Sequence, residues 1–409
     1  MRIAYLTSRI PYPLVSGGRW RAHYVLRYLL RSHEVTLYAI GSPLRTHREL
    51  GDVEPVGLEK RLFRISPAGY GWNALKGLFS RLPFQVKLYE SGEFLRALTA
   101  DVERGQIDLF FVQLLRMAEY ARPFRPIPRI LDMVDSICLH YQRMPRIWHS
   151  PRWLAARADR DRVCRYEAQL PAQFNAVLLS SPVDLAWVRE RTGAGNLVLV
   201  PNGVELDTCS YLEGPPEANS VIFFGRLDYL PNADAAIYFA REILPLVRSS
   251  VPEVRFLVVG WNPPRAVRAL GRMPGVTVRA NVPDVRREAA RCAVSVAPLR
   301  FGAGSQYKIL ESLALGVPVV ATPEPARALL DDTAGPILVG RNPEEFANQV
   351  TRLLTDGAYR EGQSRAGRSL VESRYIWEQA LAPLDRTLEV VSEKVGRGAG
   401  RSLAGGASL

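Results

Sequence analysis

Short runs of apolar and β-branched residues alternate along the whole chain with longer amphipathic stretches, and this alternation constrains the fold more than any other feature. Strands that are buried on both faces need continuous apolar runs, and the amphipathic stretches between them suit crossover helices. The pattern therefore predicts parallel strands joined by helices. The predicted strands are 2–7, 34–40, 108–113, 129–135, 176–181, 197–201, 220–225, 254–260, 276–280, 294–299, 318–323 and 336–340.

The same pattern starts afresh in the second half of the chain, which indicates two domains. With 409 residues, the chain is longer than one hydrophobic core normally fills. Proline, glycine and polar residues break the periodicity between 201–207 and 212–220. We therefore expect an α/β protein of two doubly wound, Rossmann-like parallel-sheet domains that face each other across a cleft, the first at 1–205 and the second at 206–375.

The C-terminal end combines a long amphipathic stretch with a glycine-rich tail. Residues 376–395 predict a helix that is long enough to pack back onto the first domain. Residues 396–409 have almost nothing to bury, so we expect them to be disordered.

A segment of mixed character, at about 61–90, interrupts the alternation in the first half. Bulky apolar and basic residues are interspersed there with helix breakers. Such a mixture is typical of a segment that lies on an anionic bilayer. It also suits an ordinary excursion that covers the edge of the domain, and the sequence leaves both interpretations open.

The chain is basic, with a formal net charge of +12. A positive charge favours nucleic acid, an anionic membrane surface or a phosphorylated small molecule as a partner. The basic residues are almost all arginine, and the codon bias of a GC-rich genome gives the same excess without any partner. Charge is therefore a weak guide here, and we expect no nucleic-acid partner.

Cysteine usage and the apolar runs bear on the compartment. The cysteines stand far apart and form no C-x-x-C pair, which predicts neither a zinc site nor a disulfide framework and fits a reducing compartment. They are Cys138, Cys164, Cys209 and Cys292. The N-terminus lacks the pattern of a signal peptide, and no apolar run approaches the ~20 residues that span a bilayer. We expect a bacterial cytoplasmic protein, peripheral at most at the inner face of the membrane.

Two adjacent glycines, Gly17 and Gly18, follow the first predicted strand and precede a helical stretch. Ligands of doubly wound folds bind beyond the carboxyl ends of the strands. Glycines let backbone amides approach a phosphate or sugar closely, and the start of a helix favours an anion. The pair therefore predicts a ligand-binding corner, or else simply a tight turn.

Gly225 and Arg226 end the first predicted strand of the second domain. An arginine at this end of a strand suits a diphosphate, because its planar fork makes bidentate hydrogen bonds. A lone arginine is more often a surface charge, so both interpretations stay open.

The most informative run is 297–323, in which a strand leads into a glycine-rich loop and then a helix. The loop contains Gly302, Ala303, Gly304, Ser305 and Gln306. A glycine-rich loop at a helix N-terminus is an anion cradle. Lys308 lies in the first turn of the helix, and Glu311 follows on roughly the same face, where its carboxylate can accept hydrogen bonds from two vicinal hydroxyls. The alternative is an ordinary pair on the helix surface.

Together these motifs resemble the retaining GT-B glycosyltransferases of family four, and most closely the branch associated with exopolysaccharide and related sugar-transfer clusters. The resemblance extends over nearly the whole chain. It rests on the corner at Gly17 and Gly18 and on the motifs at 200–205, 223–232 and 302–322.

The resemblance implies transfer of a sugar from a nucleoside-diphosphate sugar to a hydroxyl acceptor: a glycan, a lipid-linked saccharide or a small-molecule glycoside. The donor is held mainly by the second domain and the acceptor mainly by the first. The resemblance implies no metal and no cofactor other than the donor substrate. Polysaccharide biosynthesis is the process it implies.

Residue roles carry over from the resemblance at matching positions. Arg226 neutralises the diphosphate leaving group, Glu311 holds the donor ribose, and the glycine corner closes over the donor. The donor-binding residues are Gly17, Gly18, Gly225, Gly304, Ser305, Gln306 and Glu311.

The sequence departs from the family pattern at two positions of the second domain. A second glutamate that contacts the transferred sugar is replaced by Ala303, which leaves that contact to backbone amides around Gly304 and Ser305. A lysine six residues after the arginine is replaced by Asn232, and Lys308 is our candidate for the missing positive charge. We therefore assign catalytic roles to Arg226 and Lys308.

The acceptor side is less well defined. A histidine that often ends the strand at 108–113 is replaced by Gln113, which we take as an acceptor-side residue together with Asp135. Asp132 and Asp135 end a neighbouring strand and either face the acceptor or serve the structure.

Two other classes of function fit the same architecture. A sugar-nucleotide epimerase would need acid and base residues in the cleft, and the few histidines are unconvincing for that role. An inactive sugar-nucleotide-binding subunit is the second alternative, because the glutamate at position 303 is missing. The sequence does not specify the donor sugar, its base, the acceptor or the oligomeric state.

Overall fold

A computed structural model of the chain describes most of its residues. The described ranges are 1–12, 14, 17–41, 57–144, 151–209, 215–302, 304–329 and 335–404, with side chains described outside 151–156 and 394–404. Contacts divide the chain into two compact units. Unit 1 comprises Met1–Val200 with Leu381–Leu409, and unit 2 comprises Pro201–Ala380. We had predicted the boundaries after residues 205 and 375.

Unit 1 is built around a seven-stranded parallel sheet. Its strands are β1 Arg2–Thr7, β2 Glu34–Gly41, β3 Glu59–Arg64, β4 Leu109–Gln113, β5 Arg129–Val134, β6 Ala176–Leu179 and β7 Leu197–Leu199. The spatial order is β3-β2-β1-β4-β5-β6-β7. The order therefore reverses between β1 and β4, where doubly wound folds place their ligands.

Helices connect the strands of unit 1. They are α1 Gly17–Leu29, α2 Pro67–Leu78, α3 Phe84–Leu88, α4 Gly92–Glu103, α5 Ala118–Ala121, α6 Ile137–Arg143, α7 Pro151–Gln169 and α8 Pro182–Thr192. Every residue of the central strand β4 is buried, which explains its uninterrupted apolar run.

Unit 2 repeats this plan with six parallel strands. They are β8 Glu217–Arg226, β9 Arg255–Trp261, β10 Val276–Ala280, β11 Cys292–Ala297, β12 Val319–Ala321 and β13 Ile337–Val339. The spatial order is β10-β9-β8-β11-β12-β13. Here the order reverses between β8 and β11.

The helices of unit 2 follow the same alternation. They are α9 Leu230–Tyr238, α10 Leu244–Ser250, α11 Arg265–Arg268, α12 Val285–Ala290, α13 Tyr307–Ala314, α14 Pro323–Arg327, α15 Pro343–Thr355, α16 Gly357–Arg374 and α17 Trp377–Leu381. A π-helical turn at Phe239–Ile243 joins α9 to α10. The last helix of the chain is α18 Pro383–Ala404.

The two parallel sheets confirm the predicted α/β fold class, and each predicted strand has a counterpart. Strand β3 was not predicted. It lies at the edge of its sheet, and its sequence EKRLFR buries only Phe63. An edge strand that is mostly exposed has no continuous apolar run, so the signal used for the other strands was absent.

The single helix predicted at 376–395 was wrong in detail. The segment forms α17 and α18, which are separated at Ala382. Pro383 starts α18 because a proline lacks an N–H and fits the first helical turn. The tail at 396–409, for which we expected disorder, is helical up to Ala404, since no proline interrupts it; residues 405–409 lie outside the described residues.

The cysteine prediction was also wrong. Cys138 of α6 and Cys164 of α7 form a disulfide, whereas Cys209 and Cys292 are free and buried. The two bonded residues lie 26 positions apart, so no closely spaced motif signalled the bond. It does not support the reducing compartment that the spacing suggested.

No helix in the described part of the chain is both long and apolar enough to cross a bilayer.

Candidate functional site

The carboxyl ends of β8 and β11 meet at the switch point of the unit 2 sheet. Arg226 is the last residue of β8, and the glycine-rich loop follows β11 and leads into α13. The structure thus brings the predicted diphosphate-binding residues to one edge of this sheet.

Arg226 is half-exposed and forms a bidentate ion pair with Asp228. Its Nε lies 3.0 Å from one carboxylate oxygen, and its Nη2 lies 2.9 Å from the other. The pair raises the pKa of Arg226 and lowers the pKa of Asp228. Sequence analysis missed Asp228, although its place two residues after the arginine was a signal. The carboxylate orients the guanidinium at the end of the strand.

Lys308 lies on α13 with its ammonium group inside the site. Its Nζ donates to Asn232 Oδ1 at 2.9 Å and to Gln306 Oε1 at 3.2 Å. Asn232 Nδ2 in turn donates to the Arg226 carbonyl at 2.8 Å. The amine therefore sits beside the side chain at which the family pattern has its lysine. Burial lowers the pKa of Lys308 to about 8.

Gly225 makes this arrangement possible. Its φ of +144° is one that other residues rarely adopt. A Cβ there would also lie 3.2 Å from Asn232 Nδ2 and 3.5 Å from Lys308 Cε. A side chain at this position would push against the lysine and the asparagine.

Glu311 is held by a residue that sequence analysis did not single out. Arg286 of α12 donates from its Nε to Glu311 Oε1 at 2.9 Å, and both side chains are largely buried. Burial raises the pKa of Glu311, and the guanidinium opposes that rise. Arg286 therefore favours the ionised form of the carboxylate and fixes its position, which suits a group that accepts hydrogen bonds from two hydroxyls.

The loop before α13 is attached to the motif at 200–205. Asn202 Nδ2 donates to the buried Ser305 Oγ at 2.8 Å, and the next residue, Gly203, is packed closely. A Cβ on Gly203 would lie within 2.8 Å of backbone atoms of Trp377. Gly304 has a φ of +73°, and Ala303 lies outside the described residues.

The glycine corner of unit 1 differs from the turn that we considered. Gly17 and Gly18 form the first turn of α1, because glycine allows helical dihedrals as well as turns. Gly18 is exposed, and nothing lies within 4 Å of a Cβ placed on it. Ser16, which precedes Gly17, lies outside the described residues.

Gln113 lies at the switch point of the unit 1 sheet, at the end of β4. Thr7 Oγ1 donates to Gln113 Oε1 at 2.9 Å, and Gln113 Nε2 donates to the Gly18 carbonyl at 3.3 Å. Only 2% of Gln113 is exposed. Its amide thus holds the start of α1 to the ends of β1 and β4.

Asp132 and Asp135 have different surroundings. Asp132 is fully buried in a bidentate pair with Arg21, whose Nη1 also donates to the Val200 carbonyl at 2.9 Å. These contacts give Asp132 a structural role. Asp135 is partly exposed and accepts from Ser180 Oγ at 2.9 Å. Burial, together with the nearby carboxylate of Asp184, raises the pKa of Asp135 to about 7.

Metal-ligating side chains were also sought. No group of three or more histidine, cysteine, aspartate or glutamate residues in the described part of the chain is arranged to hold a metal ion.

The comparison with known families finds its match in one segment of the chain. That segment contains Arg226, Asn232, Lys308 and Glu311. Residues 218–356 match the family model of the group 1 glycosyl transferases. The match covers most of unit 2 and about a third of the chain. Every unit 2 side chain that we assigned to the donor therefore lies inside the group 1 match.

A curated relative carries the name of a glycosyltransferase. The D-inositol 3-phosphate glycosyltransferase of Nocardiopsis dassonvillei is 27% identical over 227 residues, which are 48% of this chain and 51% of the relative. The chain thus spans about half the length of the curated relative that it matches.

Solved structures resemble the chain over almost its whole length. Sucrose-phosphate synthase from Thermosynechococcus elongatus has a TM-score of 0.68 at 16% identity, covering 99% of this chain and 100% of that one. HepE from Anabaena, solved with UDP and glucose, has a TM-score of 0.67 at 12% identity, covering 95% of this chain and 100% of that one. These likenesses show the fold: two parallel-sheet α/β domains of the GT-B type.

Proposed function

We propose that this chain is a retaining, metal-independent glycosyltransferase that moves a sugar from a nucleoside-diphosphate sugar to an acceptor hydroxyl. The observation that carries the proposal is the contact between Lys308 Nζ and Asn232 Oδ1, next to the Arg226 backbone. The Lys308 ammonium and the Arg226 guanidinium are then two positive charges at the carboxyl ends of the strands, where doubly wound folds bind diphosphates.

The chemistry is the separation of a diphosphate from the anomeric carbon of the sugar. The bond from that carbon to the phosphate oxygen breaks, and a bond to the acceptor oxygen forms. Negative charge builds on the leaving diphosphate, so Arg226 and Lys308 supply the largest stabilisation. We assign the donor ribose to Glu311, which Arg286 holds in place.

Retention of configuration is proposed through a front-face route. In this route the acceptor attacks from the side on which the diphosphate departs, and its hydroxyl proton passes to the leaving phosphate oxygen. No carboxylate nucleophile is then needed. Peripheral to this chemistry, we keep Asp135 and Gln113 as the acceptor-side residues, and Gln113 also holds the Gly18 corner.

The biological setting is part of the same proposal. The acceptor is a glycan, a lipid-linked saccharide or a small-molecule glycoside, and the branch associated with exopolysaccharide synthesis fits the motifs best. HepE was solved with UDP and glucose, which makes UDP-glucose the first donor to test here.

The test compares the turnover of the unchanged chain with that of a variant that lacks the Arg226 charge at the end of β8. We expect Arg226→Ala to lower kcat about 100-fold or more at saturating donor, the usual scale for removing one preorganised group that stabilises transition-state charge. Arg255→Ala is the matched control. Arg255 is likewise exposed and paired with an acid, Glu217, but it lies at the amino end of the same pair of strands.

Product analysis by NMR tests the stereochemistry. An inverted anomeric configuration, or unchanged turnover in Arg226→Ala, would contradict the proposal. Incubation of the donor without an acceptor tests the epimerase alternative, because an epimerase would convert the donor under these conditions. Failure of the chain to bind any nucleoside diphosphate would instead favour an inactive subunit.

A further inference from the structure

Large apolar side chains are exposed along α2. The exposed fractions are 61% for Trp72, 48% for Leu75, 64% for Leu78 and 86% for Phe79, which directly follows the helix. Their spacing places them on adjoining parts of one helix surface. We call these four residues the α2 apolar face. Soluble surfaces carry scattered apolar residues but rarely a contiguous patch of this kind.

The opposite side of α2 packs on the protein. Tyr70 packs against the core of unit 1, and Asn73 and Gly77 are the buried residues of the helix. Asn73 Nδ2 donates to the Leu88 carbonyl at 3.3 Å and to the Glu90 carbonyl at 2.8 Å. The α2 apolar face is therefore the side of the helix that points away from the protein.

Contacts from α7 fix this orientation. Arg162 Nη1 donates to the Gly77 and Ser80 carbonyls at 2.8 and 3.0 Å. Asp159 accepts from the Phe84 backbone N–H, which holds α3 beside α2. The helix cannot roll to bury its apolar face without breaking these bonds, so the exposure is built into the fold of unit 1.

Exposed arginines flank α2 in the sequence. Arg64 precedes α2, Arg81 follows it, and both are exposed. Neither has an ion-pair partner among the described residues, whereas the nearby Lys76 and Lys87 both pair with Glu90. The face therefore combines Trp, Leu and Phe side chains with uncompensated positive charge.

We propose that the α2 apolar face docks on an anionic lipid bilayer. Apolar side chains, with an aromatic among them, insert at the level of the headgroups, and arginines attract anionic lipids. A second copy of the chain fits less well, because a two-fold contact through this face brings the arginines of both copies together. Of the two interpretations of 61–90 that the sequence left open, the proposal adopts the segment that lies on an anionic bilayer. The proposal does not depend on the proposed reaction.

Co-sedimentation with vesicles tests the proposal. One set contains phosphatidylcholine alone, and the other contains equal parts of phosphatidylcholine and phosphatidylglycerol. We expect the full chain to sediment with the anionic vesicles and to be released by salt, since exposed charges are screened. We expect Leu78→Ser with Phe79→Ser to weaken this binding at least about tenfold, because it removes the apolar contribution.

Leu246→Ser with Val390→Ser is the matched control. Leu246 and Val390 are also exposed apolar residues, but they lie on α10 and α18. We expect this variant to bind the vesicles as the unchanged chain does. A further variant, Arg64→Glu with Arg81→Glu, should lose the preference for anionic vesicles, and thermal unfolding checks that every variant is folded.

Three outcomes overturn the proposal. The unchanged chain binds neither kind of vesicle, or the Leu78 and Phe79 variant binds as well as the control. The third is a dimer detected by light scattering that the same variant abolishes while vesicles remain unbound, which would make a second copy the occupant. None of these measurements uses donor or turnover, so they leave the proposed reaction untouched.

Discussion

At the scale of single residues, the site of unit 2 carries one positive charge on a different residue from the one in the family pattern. The family pattern has a lysine where this chain has Asn232, and Lys308 reaches that asparagine from α13 with its Nζ at 2.9 Å. Burial lowers the pKa of this lysine to about 8. The substitution therefore keeps a positive charge but makes it titratable near neutral pH.

This titration gives a prediction for the pH dependence of activity. Lys308 is protonated below its pKa and loses its charge as the pH rises through about 8, so we expect kcat/KM to fall above that pH. The alkaline limb of kcat should lie higher, because a bound diphosphate favours the ammonium form. Steady-state rates between neutral and alkaline pH measure both limbs.

Lys308→Arg is the companion variant, because a guanidinium does not titrate in this range. We expect its kcat/KM to be lower than that of the unchanged chain but free of the alkaline limb. If the limb persists in this variant, another group titrates and the assignment to Lys308 fails.

The residues that bear charge in the site could be predicted from the sequence, but the partner that comes from another element could not. Arg226, Lys308 and Glu311 stand in recognisable local motifs. Asp228 and Arg286 complete their ion pairs, and Arg286 does so from another element. Side chains 25 positions apart form a pair that no local pattern specifies.

At the scale of elements, apolar runs predicted the buried strands because burial on both faces leaves one clear pattern. Strand β3 lacks that pattern. For helix α2, the sequence did not reveal the outward orientation of the apolar face, for a different reason. Its apolar residues follow helical spacing, but the sequence alone does not say whether such a face points to a core or to solvent. The contacts of Asn73 with 88–90 and of Arg162 with Gly77 and Ser80 show that it points outward.

The disulfide between α6 and α7 gives a prediction about stability. A bond that closes a loop of 26 residues stabilises a fold by roughly 3 kcal/mol through restriction of the unfolded chain. We expect Cys164→Ser to lower the free energy of unfolding by about this amount in urea.

Reductant supplies the control for this effect. Dithiothreitol should destabilise the unchanged chain to a similar extent and leave Cys164→Ser unaffected. Identical unfolding midpoints of the unchanged chain with and without reductant would show that the bond contributes nothing.

At the scale of the whole molecule, the residues that we propose to bind the donor belong to unit 2, apart from the glycine corner. A ligand that binds only the folded state stabilises it by RT ln(1 + [L]/Kd), or about 2.7 kcal/mol at one hundred times Kd. We therefore expect UDP to raise the thermal midpoint of the transition in which unit 2 unfolds, as followed by calorimetry.

Arg226→Ala should reduce that shift, whereas Arg255→Ala should preserve it. A screen of other nucleoside diphosphates under the same conditions identifies the base. If UDP and all other nucleoside diphosphates leave the midpoint unchanged, the assignment of this site to a sugar-nucleotide donor is wrong.

The return of the last helix to unit 1 has a consequence for synthesis of the chain. Asp385 of α18 accepts a hydrogen bond from the Tyr28 hydroxyl at 2.6 Å, and Leu384 and Leu388 are buried. The ribosome makes the amino-terminal strands of unit 1 before unit 2, and makes α18 after unit 2. Unit 2 therefore has all of its residues while unit 1 still lacks a helix, so the unit whose synthesis begins first is completed last.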